Sequence, residues 1–210
     1  HIPQDCKWSE VRKVSVDLGT QLNIAFRAIE DANPPLKGVF QDVDFANKER
    51  FPDEVLEQLL QHFDKYRMRR SDVPSTVLGD AYEYLIAKFA DDAGKKGGEF
   101  YTPKAVVKLM VEILRPEKGM TVYDPTCGSG GMLLESVHYM ERQGLSASAL
   151  TLYGQESNLN TWAISKMSLF LHDIDDAFVE RIERERRESS LRQAESSVKE
   201  VEKKQAKLLD

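Results

Sequence analysis

Apolar residues recur three and four positions apart over residues 8 to about 32, at Val11, Val14, Leu18, Leu22, Ala25 and Ile29, and this spacing predicts one amphipathic helix. A second helix is expected in "RFPDEVLEQLLQHFDKY". Pro52 and the acids behind it suit a first helical turn, while Val55, Leu56, Leu59, Leu60 and Phe63 share one face. A third is expected to run from about Pro74 to a stop at Gly94, with Leu78, Ala81, Tyr82, Leu85, Ile86 and Phe89 as its buried stripe. Residues 1–93 are therefore expected to form an all-helical N-terminal domain.

The pattern changes beyond the Gly/Lys hinge "DDAGKKGGEFYTPK". Thr102 is placed to cap, and Pro103 to open, a helix over Val106, Val107, Met110, Ile113 and Leu114 that ends before Pro116. A short strand follows at 121–123, then a glycine turn, a helix to about residue 143 with Gly144 behind it, a second strand "LTLYGQE" and a helix in "NTWAISKMSLFLHDI". Strand, helix, strand, helix is the order of the first half of a doubly wound, Rossmann-like α/β sheet. The second unit is thus expected over residues 94–178, an α/β domain of which only the first half is evident. Two strands alone would leave open edges and apolar faces, so intervening α/β sequence is expected to be missing after Phe178. Over residues 179–210 the composition turns abruptly charged, and Leu191, Ala194, Val198, Val201, Gln205 and Leu208 form a thin seam at steps of three and four. That segment reads as a C-terminal charged helix suited to docking on a partner rather than to catalysis.

Composition narrows the function. With 41% apolar and 30% charged residues the chain has the balance of a soluble globular protein, and no apolar run approaches the roughly 20 residues of a membrane span. It opens without the basic-then-apolar order of a signal peptide, so a cytoplasmic location is expected and no membrane as a partner. His1 in the place of an initiator Met points to a processed, truncated or incompletely represented chain. A net charge of −6 and a pI of about 5.4 exclude the electrostatic footprint of a stand-alone nucleic-acid binder, so work on DNA would rely on a partner for grip. Cys6 and Cys127 are too few for a disulfide framework and lack metal-ligand spacing; Cys127, inside the glycine turn, reads as a buried thiol. His138 and His172 have no second ligand at metal spacing, so no metal site is expected. Trp162 reads as a core aromatic, with an edge for a bound adenine as the alternative.

The chemistry concentrates in "TVYDPTCGSGGMLLESVHYM", where a strand runs into a glycine cluster that opens a helix. Such a turn aims backbone N–H groups at a ligand. The dinucleotide fingerprint G-x-G-x-x-G fails here, because Leu133 stands where its third glycine belongs. The strand also ends in Asp124, a carboxylate that would repel a pyrophosphate but attract an ammonium group. The second strand ends in Glu156, where doubly wound folds place an acid on ribose hydroxyls. A ligand with an amino acid at one end and a nucleoside at the other satisfies both acids, and S-adenosyl-L-methionine is such a ligand. The competing reading is that Asp124 and Glu156 only cap turns at strand ends.

"GGEFYTP", then "DPTCGSGGML", then "YGQESN" resembles the modification subunit of type I restriction-modification systems, an N6-adenine DNA methyltransferase family. The resemblance covers residues 8 to about 178 and takes in the junction "VPSTVLGDAYEYLIAKFADDAGKKGGEFYTP". It implies that Glu99, Phe100, Tyr101, Thr102, Pro103 and Lys104 line the cofactor site and that Gly128, Ser129 and Gly130 form its glycine loop. It implies further that Asp124 meets the methionine amino group and Glu156 the ribose, and that the methyl group passes to adenine N6 in duplex DNA. The implied partners are a DNA specificity subunit, a second copy of this subunit and often a restriction subunit. One element is missing. The family's Asn/Asp-Pro-Pro-aromatic tetrapeptide, which holds the adenine amine, does not follow Glu156, and "NPPL" at 33–36 lacks the aromatic and a leading strand. It reads as a helix-terminating loop, and no catalytic residue is assigned. Two rivals are a nucleotide-binding dehydrogenase, against which Asp124 and Leu133 speak, and a non-catalytic assembly module.

Overall fold

The computed structural model describes residues 1–14, 16–68, 71–94, 101–174 and 177–181. Glu99, Phe100 and the seam from Leu191 to Leu208 lie outside the described residues.

The single helix expected at the start is two, α1 (Trp8–Val11) and α2 (Leu18–Asp31). Asp17 divides them with φ of 53°, a left-handed conformation that a short polar side chain tolerates and a continuing helix does not. The chain leaves α2 through a 3-10 turn at Pro34–Leu36 and folds back under the buried carboxylate of Glu30, which accepts the N–H of Gly38 at 3.1 Å and also that of Phe40. The Asn33 amide donates to the carbonyls of Ile29 and His1, so "NPPL" closes α2.

Two further helices, α3 (Asp53–Phe63) and α4 (Ser75–Ala93), complete the helical part, and α4 stops at Gly94. Their expected stripes are covered along one edge only. Leu56, Ile86 and Ala90 are buried, whereas Val55, Leu59, Phe63, Leu85 and Phe89 are exposed. The same holds for α5 (Lys104–Leu114), which buries Val107 and Val111 but leaves Val106, Met110, Ile113 and Leu114 in the open. Periodicity locates an apolar face, but the neighbouring elements decide how much of it is covered. Pro103 rather than Thr102 occupies the N-cap of α5, with no side-chain cap bond.

The remaining elements are β1 (Thr121–Asp124), α6 (Gly131–Arg142), β2 (Thr151–Glu156), α7 (Leu159–Leu171) and β3 (Phe178–Arg181). The strands are parallel in the order β1-β2-β3, with Val122 opposite Leu152 and Gly154 opposite Val179. Successive crossovers in one direction put their helices on one face of the sheet. There Leu133, Leu134, Val137 and Met140 of α6 and Trp162 and Leu169 of α7 form a core with Leu152 and Val179. The other face carries Tyr123, Tyr153 and Phe178, all exposed.

The third strand was not expected. Val179–Arg181 fall in β3 instead of a charged helix, and Trp162 fixes the strand by donating Nε1–H to the Val179 carbonyl at 3.0 Å. Trp162 is a core aromatic, packed closely enough on Gly38 that an added Cβ would lie 3.2 Å from its ring. Among the described residues no helix is long and apolar enough to cross a membrane.

Candidate functional site

The site forms where the carboxyl end of β1 meets the N-terminus of α6, the position at which a parallel sheet presents its crevice. Thr126 N–H donates to Asp124 Oδ1 at 3.0 Å and bends the chain out of the strand. Cys127 N–H then donates to the Gln155 carbonyl at 2.9 Å, tying the loop to β2, and Gly130 N–H donates to the Cys127 carbonyl at 2.8 Å. Gly128 and Gly130 have φ of 55° and 84°. Gly130 is required twice over, since a Cβ there would also lie 2.7 Å from Ser165 Oγ.

Glu156 closes the arrangement from β2. Its Oε2 accepts Gly128 N–H at 3.1 Å, and its Oε1 accepts the N–H groups of Ser157 at 2.7 Å and Asn158 at 2.8 Å. One carboxylate therefore fixes both the glycine turn and the entry to α7. Burial pushes the Asp124 carboxyl above its ordinary pKa, the Glu156 charge adds to the rise, and the Thr126 N–H opposes it. Burial likewise pushes the Cys127 thiol up to about 11, so this residue is a protonated, inert side chain at neutral pH.

Two adjoining cavities open onto the turn. The smaller, about 290 Å³, is bounded by Tyr101, Thr102, Asp124, Thr126, Gly128, Ser129 and Met132. The larger, about 400 Å³, shares Tyr101, Thr102, Val107, Ser129 and Gly131 with it and continues to Asp80, Glu83, Tyr84 and Lys104. Together they fall within the size range of small-molecule sites. Lys104 donates to Glu83 Oε2 at 2.8 Å, and this bond raises the lysine pKa, fixing the start of α5 against α4.

Of the residues singled out from sequence, Tyr101, Thr102, Lys104, Asp124, Gly128 and Ser129 are brought together as cavity walls. Pro103 and Gly130 shape the two helix starts, and Glu156 does not line either cavity but reaches the turn through Gly128. Both acids do bind turn amides, as the competing reading had it, yet Asp124 retains a face in the cavity. Sequence reasoning missed Thr126, Met132 and the α4 residues Asp80, Glu83 and Tyr84. Thr126 and Met132 flank the glycines and were open to inspection; nothing in the spacing ties α4 to the turn.

A parallel α/β unit of this order, with a glycine turn between a strand-ending acid and a helix, is the first half of a Rossmann-like methyltransferase fold, here behind a helical N-terminal domain. Comparison with known proteins agrees. Residues 74–205 match the N-6 DNA Methylase family and residues 1–63 match the HsdM N-terminal domain. The chain belongs to the N-6 DNA methylase family. It is 31% identical over 196 residues to the HindI type I restriction enzyme methylase subunit of Haemophilus influenzae, covering 84% of this chain and 44% of that protein. It is 29% identical over 187 residues to the MjaIX methylase subunit of Methanocaldococcus jannaschii, covering 85% and 33%. The crystal structure of a type I restriction-modification methyltransferase subunit from Streptococcus thermophilus superposes with a TM-score of 0.70 at 28% identity, covering 87% of this chain and 40% of that one. The chain thus spans less than half the length of these relatives.

Proposed function

We propose that this chain carries the S-adenosyl-L-methionine site of a DNA adenine-N6 methyltransferase, the modification subunit of a type I restriction-modification complex. The observation that carries this reading is Asp124: a desolvated carboxylate, without a cation partner among the described residues, that walls a cavity beside the Gly128-Ser129-Gly130 turn. A ligand ammonium would supply the missing counter-charge. The group fits the residues present. Gly130 leaves the helix start free of side chain, Tyr101 and Thr102 cover the cavity from the segment that leads into α5, and the two cavities continue into one another.

S-adenosyl-L-methionine supplies an electrophilic methyl group on a sulfonium centre. Asp124 would accept hydrogen bonds from its amino group, and Glu156, held by Gly128, Ser157 and Asn158, would accept one from its ribose through the Oε2 lone pair that Gly128 leaves free. Glu99 and Phe100 belong to the same proposed segment. Adenine in duplex DNA would be the acceptor after base flipping, with sequence recognition left to a DNA specificity subunit, a second copy of this subunit alongside, and often a restriction subunit in the cytoplasmic complex. Residues 1–93 would act as the helical module and 94–178 as the cofactor module. The net charge of −6 suits a subunit that does not grip DNA alone.

Equilibrium dialysis against S-adenosyl-L-methionine, S-adenosylhomocysteine, NADH and ATP tests the cofactor. Retention of the first two only is expected, and preferential retention of NADH would replace this reading with that of a dehydrogenase. Incorporation of labelled methyl into unmethylated duplex DNA, with the specificity subunit present, then tests the reaction.

A further inference from the structure

Outside the turn, titratable side chains converge where α4 packs on the end of α7. Asp80 and Glu83, three residues apart, share one face of α4, and His172 is the C-cap of α7. One donor atom from each of the three lies within 4.8 Å of the others. The His172 side chain is 4% exposed, and its Nε2 has no hydrogen-bond partner. It lies against the backbone of Gly79, where an added Cβ would be 2.4 Å away. Desolvation lowers the imidazole pKa, the Gly79 backbone opposes this only as the smallest of the influences on it, and Nε2 has no partner at hydrogen-bond geometry. Glu83 Oε1 is 4.0 Å from that nitrogen, too far for a hydrogen bond, while Glu83 Oε2 is taken by Lys104.

A buried nitrogen without a partner is costly unless something fills its lone pair or takes its proton. We propose that Asp80, Glu83 and His172 form a site for a divalent transition ion of the zinc class, clamping α4 of the helical module to α7 of the α/β unit. In tetrahedral coordination, with the ion about 2.1 Å from each donor, donors stand about 3.4 Å apart, so binding has to draw the widest pair together by up to about 1.4 Å. Asp80 is exposed and free to make that movement. One imidazole and two carboxylates match zinc, with positions left for water. Desolvation holds the imidazole below its ordinary pKa and hence neutral, the form that ligates. The Lys104 ammonium already balances one of the two carboxylates, which leaves Glu83 Oε1 as the oxygen that faces the ion. No sequence spacing reveals the site, since its third donor comes from a helix some ninety positions further along the chain.

Chelator-stripped protein titrated with Zn2+ by calorimetry, beside Asp80→Asn, Glu83→Gln and His172→Ala, is the test. One equivalent is expected in the wild type, with a higher melting temperature on binding. Loss of a direct ligand is expected to weaken binding by about tenfold or more in Asp80→Asn and Glu83→Gln, and to abolish it in His172→Ala. Asp80→Asn decides the matter if His172→Ala does not fold, because Asp80 is exposed. Absence of stoichiometric binding by the wild type, or an equivalent that binds Asp80→Asn and Glu83→Gln as tightly as the wild type, as a site at His1 or Cys6 would, overturns the proposal.

Discussion

Glu156→Gln is the sharpest probe of how the glycine turn is held. The substitution keeps the shape of the side chain but replaces one acceptor oxygen by an NH2 donor. In the native protein Oε1 serves Ser157 and Asn158 and Oε2 serves Gly128, so no orientation of an amide satisfies all three. With its oxygen turned to Ser157 and Asn158 the glutamine keeps both of those bonds and sets a donor against the half-buried Gly128 N–H, whereas the reverse orientation gives up two bonds to keep one. An unsatisfied donor costs about 1–3 kcal/mol, and partial exposure of Gly128 places the expected loss at about 1–2 kcal/mol. With a urea slope of about 2 kcal/mol/M this lowers the unfolding midpoint by about 0.5–1 M. The Gly128 amide should also exchange its hydrogen faster, while that of Gly130, bonded to the Cys127 carbonyl, should keep its protection. A variant with an unchanged midpoint and unchanged Gly128 exchange would show that Glu156 does not hold the turn.

Other substitutions separate strain, charge and burial. Gly130→Ala should destabilise by about 1–2 kcal/mol from its left-handed backbone alone, and more from the contact with Ser165 Oγ; adding Ser165→Ala should recover only the second part in urea unfolding. Asp124 has a folded pKa above its unfolded one, so the native state holds a proton that the unfolded chain has released, and stability falls as pH rises through the interval between the two values. Asp124→Asn should flatten that slope in the absence of ligand, and an unaltered pH profile would contradict the assignment. At pH 8 a disulfide reagent should modify Cys6 in the folded protein and Cys127 only after denaturation, since the latter is buried with its pKa pushed up to about 11; equal rates in the native state would count against a closed turn.

Much of the fold was legible because its signals are local. The apolar period of α3 and α4, the Gly94 stop and the β1-turn-α6 passage are written in adjacent residues. What failed was set by tertiary partners. The break at Asp17 interrupts an apolar period that runs through it unchanged, and β3 is four residues long with one buried side chain, so its identity rests on Trp162 from a neighbouring helix. Likewise Leu85 and Phe89 belong to the stripe that periodicity marks, but the buried edge of α4 runs along Gly79, Ile86 and Ala90 instead, with His172 set against Gly79. For the site, acid and glycine positions at strand ends were readable, whereas the contribution of Asp80, Glu83 and Tyr84 depends on how α4 packs. The exposed row of Tyr123, Tyr153 and Phe178 agrees with a chain that spans less than half the length of its relatives.

The most direct test of the central claim is calorimetric titration with S-adenosyl-L-methionine of the wild type and of Asp124→Asn, which retains the acceptor for Thr126 N–H and so the turn. Saturable binding by the wild type that weakens by about 1.5–3 kcal/mol in the variant, the worth of a hydrogen bond to a charged group, is the expected result. Equal affinity in the two proteins would contradict it, since the ligand amino group would then lie elsewhere than on Asp124.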